Sequence, residues 1–274
     1  MIELPESVTL ARQLNETVRG KRIAEVEIEH THHAFAWYNG TQEFYSAGLE
    51  GKVFGESVGL GMMLESSVED KAFVIGDGTH LQYFAPGERL PEKYQARVSF
   101  QDGSSLLCKV QMYGMINLYD PKTEKNPYYL AGKSKPQPGT EGFCEEYFRN
   151  LMENVPASLS AKAFLATEQR IPGLGNGVLQ DILWRAGIHP KRKMAGLTGA
   201  QWQNLYDSVV EVLLEMTLAG GRDTEKTLFG RPGGYHVQLS KNTVGMPCPR
   251  CGALLEKANY MGGSVYFCPG CQEI

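Results

Sequence analysis

The hydrophobic residues near the start of the chain recur every three or four positions. They are Leu4, Val8, Ala11, Leu14 and Val18. This period is typical of an amphipathic helix. Pro5 suits the first turn, where the missing backbone N–H would have no partner in any case. The pattern therefore predicts a first helix that buries one face.

After Gly20 the pattern changes to short stretches in which apolar and polar residues often alternate, with Gly, Asp or Pro between them. Alternation with a period of two is typical of half-buried strands. The strand-like stretches are 22–30, 52–66, 71–78, 80–86, 96–102 and 105–114. They predict an antiparallel β-sandwich of two sheets, flanked by the first helix.

The helical period returns in the second half of the chain, after a proline-rich stretch at 120–140 that predicts a linker. The predicted helices cover 143–155, 160–170 and 175–187, and a last one runs from Thr198 to Gly220–Gly221. Ser160 and Thr198 are expected to be N-caps, and Gly187 a C-terminal stop. The whole chain is therefore predicted to have an α+β fold.

Composition is that of an ordinary globular protein, with 274 residues, 42% hydrophobic and 21% charged. No apolar run approaches the roughly 20 residues that span a bilayer, and the start lacks the pattern of a secretory signal. A cytoplasmic protein is expected. The net charge is −4, but residues 1–149 hold 15 Lys+Arg against 21 Asp+Glu, and residues 150–274 hold 12 against 10. This asymmetry fits nucleic-acid binding by the second half, and chance explains it equally well.

Four of the six cysteines form two pairs, Cys248-x2-Cys251 and Cys268-x2-Cys271, with 16 residues between the pairs. Thiolates at this spacing can hold one Zn²⁺ tetrahedrally, which leaves no open position for catalysis. The insert predicts a β-hairpin that turns at 261–264. The alternative, four free thiols, leaves the spacing unexplained. Cys108 and Cys144 look like ordinary thiols.

A glycine-rich turn precedes the helix predicted at 175–187. The backbone N–H groups of Gly175, Asn176 and Gly177 are expected at the helix N-terminus, where they would bind a phosphate with help from the Asn176 amide. A basic stretch follows the helix, and it contains His189, Lys191, Arg192 and Lys193. The alternative is a helical hairpin with a solvated basic tail.

The chain resembles the bacterial formamidopyrimidine-DNA glycosylase/endonuclease VIII (Fpg/Nei) family along nearly its whole length, because several motifs appear in the order and spacing of that family. They are ELPE at 3–6, GLGN at 173–176, RAGIHP at 185–190, TLFGRPGGY at 227–235 and the two cysteine pairs. The resemblance implies a monomeric enzyme that flips a damaged base out of double-stranded DNA and cuts its glycosidic bond. It further implies four regions: a β-sandwich catalytic-type domain at 1–120, a linker at 121–140, a helical helix–two-turn–helix domain at 141–240 and a zinc finger at 241–274.

The resemblance also assigns site residues. Glu3 matches the family's catalytic acid/base, and Glu6 matches its second glutamate. Tyr113 matches the aromatic wedge that fills the space left by the flipped base. The segment 217–243 matches the region that covers the lesion.

The chain departs from the family at the catalytic positions. The family's nucleophile is an N-terminal proline, whereas this chain begins Met1-Ile2-Glu3, so that the terminal amine belongs to Met1 and lies one residue early. A lysine of the family is replaced by Met62 and its intercalating methionine by Thr79. The phosphate-binding arginine of the hairpin is absent from the turn at 261–264.

Two functions fit these departures. The first is a divergent glycosylase that removes a base by water attack with Glu3, with weak or absent strand cleavage. The second is an inactive member that binds damaged or distorted DNA. The two glutamates favour the enzyme, and the alternative role for Glu3 is electrostatic capping of the first helix.

Overall fold

The structure, a computed structural model, describes residues 1–76, 78–153, 155–272 and 274. It opens with α1 (Leu4–Thr17). The backbone N–H of Glu3 donates to Glu6 Oε2 at 3.2 Å, which fixes the first turn. Leu10 and Leu14 are buried on one face, so the helix predicted at the start of the chain is confirmed.

Two sheets follow α1. Their strands are β1 (Ile23–Ile28), β2 (Ala36–Trp37), β3 (Phe54–Leu60), β4 (Met63–Val68), β5 (Lys71–Ile75), β6 (Thr79–Phe84), β7 (Ala96–Phe100), β8 (Ser105–Val110) and β9 (Gly114–Tyr119). One sheet has the order β1-β7-β8-β6, and the other has β2-β9-β5-β4-β3. All the pairs are antiparallel except β2 with β9, which is parallel. The predicted sandwich is therefore confirmed, with one parallel edge strand.

Several elements of this half were absent from the sequence prediction. The stretch at 52–66 is a hairpin of β3 and β4 rather than a single strand, and β9 and α2 (Gln42–Leu49) were not predicted. Residues 116–119 of β9 are all buried, because the strand lies inside its sheet. It therefore lacks the polar alternation that marks a half-buried strand.

The stretch predicted as a linker at 121–140 contains a helix, α3 (Pro127–Ser134). Asn126 caps it by accepting from the backbone N–H groups of Tyr128 and Tyr129. Tyr129 is fully buried in a cluster with Leu60 and Tyr119. Proline at the first turn is compatible with a helix, so this helix was not predicted from the proline-rich stretch, and the linker itself stays a prediction.

The second half is helical, with α4 (Glu145–Asn150), α5 (Ala161–Ala166), α6 (Val178–Ala186), a short 3₁₀ turn (Met194–Gly196) and α7 (Gly199–Leu218). Ser160 accepts from the N–H of Ala163, and Thr198 accepts from that of Gln201, so both predicted N-caps are confirmed. Gly187 ends α6 with φ of +71°, as predicted. In the described part of the chain, no helix is both long and apolar enough to span a membrane.

The chain ends in an antiparallel hairpin of β10 (Glu256–Tyr260) and β11 (Gly263–Phe267), which confirms the hairpin predicted between the cysteine pairs. Two large hydrophobic cores lie in the two halves, and the N-terminus lies between them, because Ile2 packs in the first core and Leu4 in the second. Leu228 also packs in the first core. A segment of the predicted helical domain therefore reaches back to the sandwich, and the domain boundaries stay a prediction.

Candidate active site and metal centre

Glu3 lies at the junction of the two halves, with only 1% of its surface exposed. Its Oε1 accepts from the N–H of Gly177 at 2.9 Å and its Oε2 from the N–H of Val178 at 2.7 Å. These donors belong to the N-terminus of α6, where the helix dipole favours a negative charge. A Cβ at Gly175 would lie 2.4 Å from Glu3 Oε1. This position therefore needs glycine because the carboxylate approaches the backbone so closely.

Arg222 is buried against Glu3 and Glu6. Its Nη1 lies 3.3 Å from Glu3 Oε2, and its Nη2 and Nε donate to the two oxygens of Glu6 at 2.7 and 3.0 Å. The Arg222 backbone N–H also donates to Glu6. One buried guanidinium thus faces two buried carboxylates at the start of the first helix and balances only part of their charge.

The pKa values in this triad follow from burial and charge. Burial raises the pKa of Glu3 above its ordinary value, and Arg222 and the two amide donors offset this only in part. Burial alone would lower the pKa of Arg222. The charges of Glu3 and Glu6 outweigh this effect and raise the pKa above its ordinary value. Arg222 therefore stays charged, whereas Glu3 is a weaker acid than an exposed glutamate.

The terminal amine of Met1 forms an ion pair with Glu225. Ile2 is buried, and its packing holds the terminus in place. A small pocket beside the amine is lined in part by Glu6, His80 and Glu225. Burial, with help from Lys226, lowers the pKa of His80 to about 4, so this ring is neutral near pH 7.

The sequence did not predict roles for Arg222 and Glu225. They lie 216 residues from Glu6 and 224 residues from Met1, respectively. Both belong to the segment predicted to cover a lesion, and the only local signal is a charged stretch after Gly220–Gly221. Their partners could not be identified without the fold.

The glycine-rich turn differs from its predicted role in one respect. The N–H of Gly177 was expected to contact a phosphate, but it donates to Glu3. Asn176 donates through Nδ2 to Ser264 O of the hairpin at 3.0 Å, and its Oδ1 has no partner among the described residues. Contacts of Gly175 and Asn176 with a phosphate stay a prediction.

The basic residues after α6 have intramolecular contacts. Lys191 Nζ lies 5.6 Å from the centre of the Tyr260 ring. Arg192 donates to the backbone oxygens of Ile274 and Gly196, and Lys193 donates to Ser158 O at 2.7 Å. Lys191 and Lys193 are exposed. Their surface can attract a polyanion, and DNA contact stays a prediction.

Tyr113 lies between β8 and β9 with 39% of its surface exposed, and its ring centre is 6.0 Å from that of Trp37. Trp37 and Tyr113 line an open cleft, and Met62 is part of the same lining. Thr79, by contrast, is 2% exposed at the start of β6. Thr79 therefore cannot take over an intercalating role, because its side chain does not reach the surface.

The four paired cysteines meet at the end of the hairpin. Their Sγ atoms all lie within 4.8 Å of one another, with 3.8 Å between Cys248 and Cys271 and 3.3 Å between Cys251 and Cys268. Sulfurs bound tetrahedrally at about 2.3 Å from one ion lie about 3.8 Å apart. The cluster therefore fits a zinc finger and could hold one metal ion.

The cluster of four cysteines is held against α6 by several side-chain contacts. Arg250 lies 5.2 Å over the Trp184 ring and donates to Trp184 O at 2.7 Å. Gln180 accepts from the N–H of Tyr266, and Gln272 donates to Ile188 O. These contacts couple the hairpin to the helix that also carries the donors to Glu3.

The amino-acid sequence is similar to those of known DNA glycosylases. The model of the formamidopyrimidine-DNA glycosylase H2TH domain matches residues 135–227. The formamidopyrimidine-DNA glycosylase of Streptococcus pneumoniae is 29% identical over 282 residues, covering 100% of this chain and 99% of that protein. The corresponding enzyme of Lactococcus lactis is 27% identical and covers 100% of each chain.

Solved structures give the same result. The Lactococcus lactis enzyme in complex with DNA containing an abasic site has a TM-score of 0.85 at 25% identity, covering 99% of this chain and 100% of that one. A MutM complex with DNA containing carbocyclic 8-oxo-G has a TM-score of 0.82 at 26% identity, with the same coverage. From its H2TH domain, its full-length relatives and its fold, this chain belongs to the Fpg/Nei family of DNA repair glycosylases.

Proposed function

We propose that this protein binds damaged double-stranded DNA as a monomer and excises a modified base, with weak or absent strand cleavage. The observation that carries the proposal is the placement of Glu3, which is buried and oriented by two backbone amides, with a pKa that burial raises above its ordinary value. A general acid/base works best when its pKa is near the working pH. The two amides orient Glu3 for that role, and its raised pKa makes the ionised carboxylate a stronger base than an exposed glutamate.

Glu3 acts on water in this proposal. A carboxylate has about four lone-pair sites, and the described partners Gly177, Val178 and Arg222 use three. The remaining site can hold a water molecule. That water attacks C1′ of the nucleotide, the bond from C1′ to the base breaks, and Glu3 takes the proton of the water. The base leaves with the glycosidic electron pair and takes up the proton that Glu3 removed from the water, so an abasic sugar with a new hydroxyl remains and Glu3 is regenerated.

A second function, binding without catalysis, is favoured by the burial of Glu3. With 1% of its surface exposed and a buried arginine beside it, Glu3 also serves as a structural pin between the two halves. In that case Glu3, Glu6 and Arg222 hold the two halves of the protein together, and damaged or distorted DNA is bound but not cut.

A panel of duplexes, each with one modified base, separates the two functions. We expect base release that needs alkali to become a strand break, and we expect Glu3→Gln to lower the rate by about 100- to 10,000-fold, as for other general acid/base residues. Glu16→Gln changes an exposed carboxylate on the same helix and should leave the rate unchanged. Binding without base release across the panel would favour the binding protein.

We propose that Cys248, Cys251, Cys268 and Cys271 bind one structural Zn²⁺. We expect Cys268→Ala to lower zinc from one ion per chain to nearly none and to unfold the hairpin, because metal binding and folding are coupled in such small units. Metal analysis and near-ultraviolet circular dichroism measure both effects. Cys144→Ala, which removes an exposed thiol far along the chain, should keep its zinc, and a full zinc content in Cys268→Ala would contradict the proposed ligand set.

We propose that Gly175, Asn176, Lys191, Arg192 and Lys193 contact DNA phosphates. Asn176→Ala should weaken binding to duplexes with and without a lesion by the same factor, because phosphate contacts carry no base information. Lys191→Ala should in addition reduce the slope of log K against log [salt] by about 0.9, since it removes one cation. Titrations at several salt concentrations measure both, with Asn204→Ala on the exposed side of α7 as the control. A loss confined to one lesion would contradict the assignment.

Tyr113 is the proposed wedge. Its partly exposed ring lies at the end of β8, and a phenol ring can fill the space that an extruded base leaves. The same ring borders the open cleft that Met62 lines.

A further inference from the structure

An open cleft lies over the edge of the sheet formed by β2 and β9. Its walls include Trp37 from β2, Met115 from β9, Tyr113, and Tyr128 at the start of α3. Gln169 from the helical half closes one end. The cleft therefore lies at the junction of the two halves, beside the proposed wedge.

The chemistry of the lining is uncharged. Among the residues that the structure describes, those around the cleft include no acidic or basic side chain, and they are mainly aromatic rings and methionine thioethers. Trp37 and Tyr128 are 53% and 59% exposed. Exposed rings of this size are costly to leave in water and commonly mark a binding surface. A phosphate or an ion finds no opposite charge here, whereas a flat, uncharged ring finds stacking partners.

The distance between the rings limits how such a ligand can bind. The Trp37 and Tyr113 rings are 6.0 Å apart and tilted by 33°. A flat ring inserted between them would need about 7 Å, twice the usual contact distance of carbon atoms. A ligand ring therefore does not fit between Trp37 and Tyr113, and it stacks instead on the exposed surface of Trp37, which is 53% exposed.

We propose that this cleft binds an unpaired nucleobase by stacking on Trp37, so that the protein selects DNA with an unpaired base over a fully paired duplex. The inference rests on the proposed binding of DNA. When Tyr113 enters a duplex and a base is extruded, the opposite base loses its partner, and the cleft lies next to Tyr113. Such stacking is tolerant of base identity, because every base has a π-face.

The proposal has a distinct salt signature. Stacking releases no counterions, so the preference for an unpaired base should stay constant while overall affinity falls with salt. A preference that came from extra phosphate contacts would shrink as salt rises. The two origins are therefore separable in one titration series.

The test uses the full chain and two duplexes that differ in one nucleotide. One is fully paired, and the other carries a single bulged 2-aminopurine. We expect the parent to bind the bulged duplex about 10- to 100-fold more tightly, in the range that aromatic stacking gives per base, and to quench the 2-aminopurine fluorescence. Trp37→Ala should lose both effects while binding the paired duplex within about twofold of the parent. Trp37→Phe, which keeps a ring, should retain part of the preference.

Phe44→Ala is the matched control, because Phe44 is a similarly exposed ring on α2, outside the cleft. It should behave as the parent does. Equal binding of the two duplexes by the parent, or an undiminished preference in Trp37→Ala, would overturn the inference and leave the proposed function standing. Failure of the parent to bind any duplex would instead overturn the proposed function, and the inference with it.

Discussion

Replacing Arg222 with Met is expected to destabilise the protein by about 3–5 kcal/mol, the usual cost of removing one partner from a buried ion pair. The reason is that Arg222 is the cation facing both Glu3 and Glu6, and all three side chains are at most 5% exposed. Without it, two carboxylates stay buried at the same helix start. Urea unfolding of the parent and the variant measures the difference.

The matched control is Arg12→Met. Arg12 forms an ion pair with Glu16 on the same helix at 3.7 Å, but both side chains are about 60% exposed. Solvent screens such a pair, so the change should cost well under 1 kcal/mol. A similar loss in the two variants would contradict the structural role of the triad.

The effect of Arg222→Met should also depend on pH, with a sign that follows from Glu3. Arg222 lowers the pKa of Glu3 against the larger rise caused by burial. Its removal raises that pKa further, and a carboxyl whose pKa is raised by folding loses stability as pH rises above its ordinary value. The difference between parent and variant should therefore be large at pH 8 and shrink toward pH 4.5. Adding Glu3→Gln and Glu6→Gln to the variant should remove most of this pH dependence.

The sequence predicted those parts of the fold that depend on local signals. The caps at Ser160 and Thr198 were correct because a hydroxyl bonds an amide only three residues away. By contrast, β9 was missed because its position inside a sheet removes the polar alternation. Likewise α2 buries only Tyr45 and Leu49, and two residues define no period.

The candidate site divides in the same way. The cluster of four cysteines was predictable because the spacing of two CxxC pairs is itself typical of a site that holds one metal ion. The environment of Glu3 was not, since it is made by residues from the far end of the chain. The glycines of the turn illustrate the difference. Their sequence predicted a phosphate cradle, whereas in the structure Gly175 and Gly177 leave room for Glu3 and Arg222.

The Met1–Glu225 ion pair limits the chemistry of the N-terminus. A Schiff base forms only when a free amine attacks the sugar, and the amine of Met1 is engaged by the carboxylate of Glu225. It also lies one residue before the position that the family's proline would occupy. A displacement of about 1 Å can lower a rate on the order of 100-fold. Both effects act against strand cleavage.

Borohydride trapping on abasic-site DNA is therefore expected to give less than about 1% of the crosslink formed by a proline-initiated family member, in line with that loss of rate. Efficient trapping of the parent through Met1 would contradict the prediction and assign a new nucleophile. Glu225→Gln separates the two causes. It removes the carboxylate that engages the amine but leaves the backbone in place, so a marked increase in trapping would identify the ion pair as the barrier. If trapping stays low in that variant, the displaced position of the amine is the barrier. Base release should then proceed through Glu3 and water, without any covalent bond between the protein and the sugar.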